Sequence, residues 1–208
     1  GMQTLAGIRY DVIDPAENSG RSCIVLADPK FRRYPASAPV QLRGKAPGEW
    51  LYLLHASAWT PKFSEPVGEI AVEYADGTVQ RIPVLSGRDC GNWWRPAALE
   101  NGAVAFSADS NGERVGLYSS GFRLAGREPR RITFTPAPHT VWMIAGVSFA
   151  DRRVLQTQPA PCIIRPGERW TELKTGSTIR KGSPLDLSGR LDAPAGKYGR
   201  VVNRNGKF

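Results

Sequence analysis

Cysteine, histidine and long apolar runs are scarce in this chain, and each shortage closes off a class of function. There are 3 cysteines and 2 histidines among 208 residues. Cys23, Cys90 and Cys162 are widely spaced and no two form C-x-x-C, so the sequence lacks the spacing of a zinc or dithiol redox site. An odd count leaves at least one thiol unpaired. Cys23 lies in an apolar run and is expected to be a buried thiol acting as a small hydrophobe; a disulfide between Cys90 and Cys162 is left open. His55 sits inside an apolar stretch and His139 follows Pro138. Neither has a His, Cys or carboxylate at ligand spacing, and no nucleophile can be paired with His55, which excludes a hydrolytic triad. No apolar run reaches the roughly eighteen residues of a membrane-spanning helix. The start, Gly1-Met2-Gln3, has neither the charged nor the apolar region of a signal peptide. Gly1 before Met2 reads as a cleavage scar, so an export signal is expected to have been removed.

What the chain does have is glycine, proline and arginine. With 22 Gly and 17 Pro, and apolar residues at 41%, it reads as many short strands joined by turns. The net charge of +9 comes from 28 basic against 19 acidic residues. The basic residues form only isolated pairs, Arg32-Arg33, Arg130-Arg131 and Arg152-Arg153. No nucleic-acid-binding motif accompanies them, so a dispersed, solvated surface charge is expected over a nucleic-acid partner. An anionic polysaccharide remains compatible with the sign of the charge.

Strand signals come early and often. Gly7–Ile13 alternates Ile8, Tyr10 and Val12 against Arg9 and Asp11, the pattern of a half-buried strand. Ser22–Leu26 predicts a short central strand, and Val40–Arg43 another short one. Trp50–Trp59 is apolar on both alternating faces, which suits a strand covered on two sides. Glu69–Tyr74 and Val79–Val84 predict a hairpin around Asp76-Gly77, with Pro83 placing the second arm at an edge. Later strands are predicted at Arg114–Ser119, Arg131–Thr135 and Thr140–Phe149, the last with Val141, Met143, Ala145, Val147 and Phe149 on one face. Ala97–Asn101 could make one helical turn. No internal repeat is evident. The fold expected is all-β, a β-sandwich of the jelly-roll type, over residues 1–158. A composition rich in Thr, Gln and Pro marks a boundary near Gln156–Pro161. After it, residues 159–208 form an extended, polar, Gly-rich segment, in which Cys162–Arg165 predicts one further strand.

Trp93-Trp94-Arg95, preceded by Asp89 and Asn92, is the best binding candidate. Sugars stack apolar C–H faces on flat aromatic rings while Asp, Asn and Arg bond the hydroxyls. The competing expectation is that the rings cap the end of the core. Of Trp50, Trp59 and Trp142, core packing is expected, with Trp59 the one placed to reach a rim. Asp109-Ser-Asn-Gly-Glu113 could suggest a structural Ca2+ loop, but it lacks the alternating ligands of an EF-hand, and a simple turn explains it. No other cofactor is expected.

Two stretches resemble a known family. Lys181-Gly-Ser-Pro-Leu-Asp-Leu-Ser-Gly-Arg-Leu-Asp-Ala-Pro-Ala-Gly-Lys-Tyr-Gly-Arg-Val-Val202 resembles the lead-in to the catalytic barrel of large multidomain bacterial glycoside hydrolases. Tyr10–Ala16 with Asn18 and Gly20, Leu51–Trp59, Val67-Gly-Glu69, Tyr74–Thr78, Ile82-Pro83 and Asn92-Trp-Trp94 are similar to an N-terminal module of such enzymes. Cys90 departs from the polar residue common ahead of the tryptophan pair. The resemblance implies a galactose-binding-like jelly roll placed before a barrel that would begin where this chain stops. It implies a non-catalytic accessory module that binds a polysaccharide or oligosaccharide, in a periplasmic or extracellular enzyme. The alternatives are a purely structural module and, less favoured, a stand-alone glycosidase. Asp186 and Asp192 could suggest a carboxylate pair, but the resemblance places the catalytic acids in the absent barrel.

Overall fold

A computed structural model describes residues 1–28, 34–42, 48–154 and the single positions 179, 181, 183, 184 and 186. The chain divides into two compact units, Gly1–Cys162 and Ile163–Phe208, and all the described strands belong to the first. The expected boundary at 158/159, the strand at 162–165 and Asp192 lie outside the described residues, as do most of residues 181–202.

The first unit is all-β. Its strands are β1 (Met2–Leu5), β2 (Ile8–Asp11), β3 (Ile24–Ala27), β4 (Ala38–Gln41), β5 (Trp50–Ala58), β6 (Pro66–Tyr74), β7 (Val79–Leu85), β8 (Gly102–Ser110), β9 (Glu113–Arg123), β10 (Pro129–Pro136) and β11 (Val141–Ala150). One 3-10 turn, Pro15–Glu17, is capped by Asp14, whose carboxylate accepts from the Ala16 N–H. The strands form a hairpin β1-β2, a four-stranded sheet β4-β10-β6-β7 and a five-stranded sheet β3-β11-β5-β9-β8. Every strand pairing is antiparallel. The pairings nest: β3 with β11, β4 with β10, β5 with β9, and β6 with β7. Nested pairing shared between two sheets is consistent with a jelly roll, here with β8 added at one edge.

The two large sheets enclose one core. Leu51 and Leu53 of β5, Phe122 of β9, and Trp142 and Ile144 of β11 meet Ile70 and Val72 of β6 and Ile132 and Phe134 of β10. Ile70, Val72 and Tyr74 share the buried face predicted for them. The opposite face of the five-stranded sheet is also covered. The β1-β2 hairpin lays Ile8 and Tyr10 on Tyr52 and Leu54, and Leu99 packs on Ala56 and Tyr118. Burial on both sides explains why β5 carries no alternation: Leu51–Ser57 are all buried.

Several expectations need correction. β3 is an edge strand, paired only with β11, because a short apolar run by itself does not fix position in a sheet. Cys23 precedes it and is exposed. The predicted single face of β11 is broken by a bulge. Its pairing with β5 shifts between Ile144 and Gly146. Trp142 and Ile144 face the core before the shift, and Val147 and Phe149 pack on it after the shift, while Met143 and Ala145 join the other face. One extra residue reverses a period of two. β8 went unrecognised in the sequence, and Ala97–Asn101 forms no helical turn. β7 is an edge strand, as Pro83 predicts.

Much of the charge is paired. Arg131 bonds Glu73 directly across the β10-β6 pair, Arg81 bonds Glu69, and Arg127 bonds Asp76. Gly68 carries a close backbone approach to the core. A Cβ there would lie 2.6 Å from the Trp142 ring and 2.7 Å from the Thr135 carbonyl oxygen. Gly68→Ala should therefore destabilise the domain by about 2–3 kcal/mol, read as a lower urea midpoint. A midpoint equal to wild type would show that Trp142 is not packed against this backbone.

Candidate functional site

The candidate residues sit where the five-stranded sheet splits. β5 pairs with β9 only as far as His55 opposite Tyr118. Beyond that point the segment Gly91–Arg95 runs between the two strands. Ser57 donates its N–H to Gly91 O (2.9 Å), and Trp93 N–H donates back to Ser57 O (2.9 Å). On the other side Gly116 N–H donates to Trp93 O (2.8 Å), and Arg95 N–H donates to Arg114 O (2.7 Å). The wedge thus pairs parallel to β5 at Ser57–Asn92 and antiparallel to β9 at Trp94–Val115. Its backbone groups are satisfied by strands that would otherwise have paired with each other.

A buried polar cluster holds the base of this wedge. Asp89 is 0% exposed. One carboxylate oxygen accepts from Leu85 N–H (2.8 Å) and Arg88 Nη2 (2.9 Å), the other from Asn101 Nδ2 (2.8 Å). The same Asn101 group also donates to Gly121 O at 3.1 Å. The Asp89 carbonyl accepts from Ser120 Oγ and from His55 Nε2, the latter at 3.1 Å. The tautomer of His55 follows from its other partner. Trp142 Nε1–H can only donate, and it meets His55 Nδ1 at 3.1 Å, so the proton of the neutral ring is on Nε2. Burial lowers the His55 pKa from 6.5 to about 4, which keeps the ring neutral. Cys90, beside Asp89, is a buried free thiol whose pKa burial pushes up to about 12.

The six candidate residues separate into three groups. Trp94 is 41% and Trp59 66% exposed, and both lie two residues past the Ser57–Asn92 bridge. Trp93 is half-buried on Ala56, Leu99 and Tyr118, with its ring centroid 4.5 Å from that of Trp94. It supports Trp94 from below and caps the core. Asn92 is a positioning residue: its side-chain oxygen accepts from Trp94 N–H at 2.9 Å, and its carbonyl accepts from Tyr118 OH at 2.8 Å. Arg95 is exposed and grips Glu113 through Nε–Oε2 (2.8 Å) and Nη2–Oε1 (2.5 Å). Asp89, expected to bond a ligand's hydroxyls, is corrected to a structural group, because protein donors fill its carboxylate and water cannot reach it.

The backbone at this end is unusual. Seven non-glycine residues have positive φ among the described residues, and five of them are in the loops here: Trp59 (48°), Ser64 (66°), Arg95 (51°), Asn111 (51°) and His139 (59°). Each costs on the order of 1 kcal/mol or more, and such residues concentrate where a side chain must be aimed. Asn111-Gly112 is the two-residue β8-β9 turn, both positions at positive φ. The sequence 109–113 is therefore a hairpin, with its Glu113 engaged by Arg95. No cluster of His, Cys, Asp or Glu able to hold a metal occurs among the described residues.

Sequence reasoning missed Phe63, and it read Glu113 as part of a turn without its partner Arg95. Phe63 is exposed and its ring covers Gly87, where a Cβ would lie 2.3 Å away. No periodicity marks a loop aromatic of this kind; the adjoining Phe-Ser-Glu-Pro turn was the only signal. No family model, curated protein or solved structure matches this chain. No helix among the described residues is long and apolar enough to cross a membrane.

The His55 geometry sets a pH dependence. Its folded pKa lies below the unfolded value, so its contribution is complete above pH 6.5 and is lost as pH falls toward 4. The unfolded chain takes up a proton in that window and the folded one does not. Urea unfolding should lose about 2 kcal/mol of stability between pH 7 and pH 5. A flat profile over that range would contradict a neutral, buried His55.

Proposed function

We propose that the domain is a non-catalytic saccharide-binding module. Trp94 and Trp59 form its stacking surface, and the exposed end of the Arg95–Glu113 pair supplies hydrogen bonds to hydroxyls. The observation that carries this reading is two large aromatic rings partly exposed at one end of the sandwich. Both lead into positive-φ backbone, at Trp59 itself and at Arg95 beside Trp94. Folding alone gives no return for such exposure, whereas a ring facing a sugar gains from stacking. Trp93 sets the height of Trp94 and is not itself part of the contact surface.

The resemblance to glycoside hydrolase modules supports the same ligand class. On it we base three further proposals: the galactose-binding-like variety of jelly roll, a catalytic barrel in the same polypeptide as natural neighbour, and an exported location. A purely structural module is the second reading. It is favoured by one observation, the engagement of Trp93 in the cluster of Ala56, Leu99 and Tyr118.

Migration in native gels cast with a panel of neutral and anionic polysaccharides tests this. At least one glycan should retard the wild type. Trp94→Ala and Trp59→Ala should each weaken that retardation about tenfold, the loss of one stacking contact, with thermal midpoints close to wild type. Unretarded migration throughout the panel would move the domain to the structural reading. Trp93→Ala should instead lower the thermal midpoint.

A further inference from the structure

The arginines of the first unit differ in how far carboxylates neutralise them. Arg81, Arg88, Arg95, Arg127 and Arg131 each meet a carboxylate at 3.0 Å or closer. Arg123 is held loosely, 3.8 Å from Glu49, with both side chains more than half exposed. Among the described residues, no carboxylate forms an ion pair with Arg152 or Arg153. These three arginines belong to one end of the sandwich, the end opposite Trp59 and Trp94.

Trp50 organises them. It opens β5, opposite Arg123 of β9 on one side and Ala150 of β11 on the other. Directly opposed residues share a face, and this is the outer face, where Trp50 packs beside Tyr52 and Ala150. Three residues past Ala150, the Arg153 guanidinium carbon lies 5.6 Å from the centre of the Trp50 ring. One half-buried indole therefore carries the Arg153 guanidinium over its ring, with Arg123 opposite it in register and the exposed Arg152 next in the chain. Glu49, already facing Arg123, and Asp151 are the acids next to these arginines in the chain; Glu128 and Asp76 lie in the loops of the same end, where Arg127 bonds Asp76.

We propose that this end of the sandwich binds an anionic polysaccharide through Arg123, Arg152 and Arg153, at sulfate or carboxylate groups. It lies roughly 25 Å along β5 from the tryptophan loops, at about 3.3 Å per residue, and the proposal stands whether or not those loops bind sugar. A planar guanidinium fork matches the two oxygens of a carboxylate or sulfate. Stacking on Trp50 holds the Arg153 fork in place, so less freedom is lost on binding. A single-stranded nucleic acid fits less well, because it needs an open ring on which bases stack, and Arg153 lies over the Trp50 ring.

The test is retardation of the full chain in gels cast with dextran sulfate or polygalacturonate, with neutral dextran as reference. Wild type should be retarded by at least one of the two anionic polymers. Arg123→Gln/Arg153→Gln should bind about tenfold more weakly, and Arg81→Gln/Arg114→Gln, which removes equal charge elsewhere, should lose much less. Glu49→Gln, which releases Arg123, should bind about two- to threefold more tightly. Equal losses in the two double variants would reduce the effect to net charge and overturn the site. So would unchanged or weaker binding by Glu49→Gln, or an oligonucleotide that competes as strongly as dextran sulfate.

Discussion

The loop that carries the exposed tryptophans depends on one buried residue. Asp89 receives Leu85 N–H, Arg88 and Asn101 on its carboxylate, and His55 and Ser120 on its carbonyl. Through these bonds it joins the end of β7, the start of β8, and β5 and β9. A carboxylate out of water is costly unless its lone pairs are filled. Its carboxylate is filled from Leu85, Arg88 and Asn101 and its carbonyl from His55 and Ser120, so distant parts of the chain must all arrive for the fold to form. Losing any one would leave a buried charge or a buried carbonyl short of a partner. The cluster therefore acts as a specification of geometry more than as a source of stability.

From that anchor the geometry of this end is determined. With Asp89 fixed, the chain can only leave through Cys90 and Gly91 into the gap between β5 and β9. Gly91 has no room for a side chain, since a Cβ would lie 2.6 Å from the Tyr118 hydroxyl. The wedge then uses the free edges of both strands, and the pattern ends with Trp93 inward and Trp94 outward. Buried order at Asp89 is converted into a fixed position for an exposed ring. At the opposite end, the bulge in β11 and the short chain beyond it put Arg153 over Trp50. Both surfaces are consequences of strand register, not of loop composition.

That dependence explains what was legible in the sequence. The all-β class, the covered β5, the β6-β7 hairpin and the edge position of β7 follow from local patterns: apolar runs, Asp-Gly and a strand proline. The position of β3 in its sheet did not, since pairing partners are distant in sequence. The face of β11 was misread because a bulge leaves no mark in an alternating run. Asp89 and Trp93-Trp94 were visible as residue types with the right chemistry nearby. Which of them is exposed was not visible, because burial of Asp89 is decided by Arg88, Asn101, His55 and Ser120 together. Asp89 looked like a ligand for sugar hydroxyls, and it is a ligand for the protein's own donors.

The central claim is that the Asp89 cluster holds the Gly91–Arg95 wedge in place. Amide hydrogen exchange of Asp89→Asn against wild type tests it most directly, since Asn keeps the shape and removes acceptor capacity. The account predicts faster exchange at Trp93, Arg95 and Gly116, the amides that bond across the split, with Val72 and Ile132 in the other sheet as protected as before. Unchanged protection at Trp93 and Arg95 would contradict it and show that the strand edges alone hold the wedge.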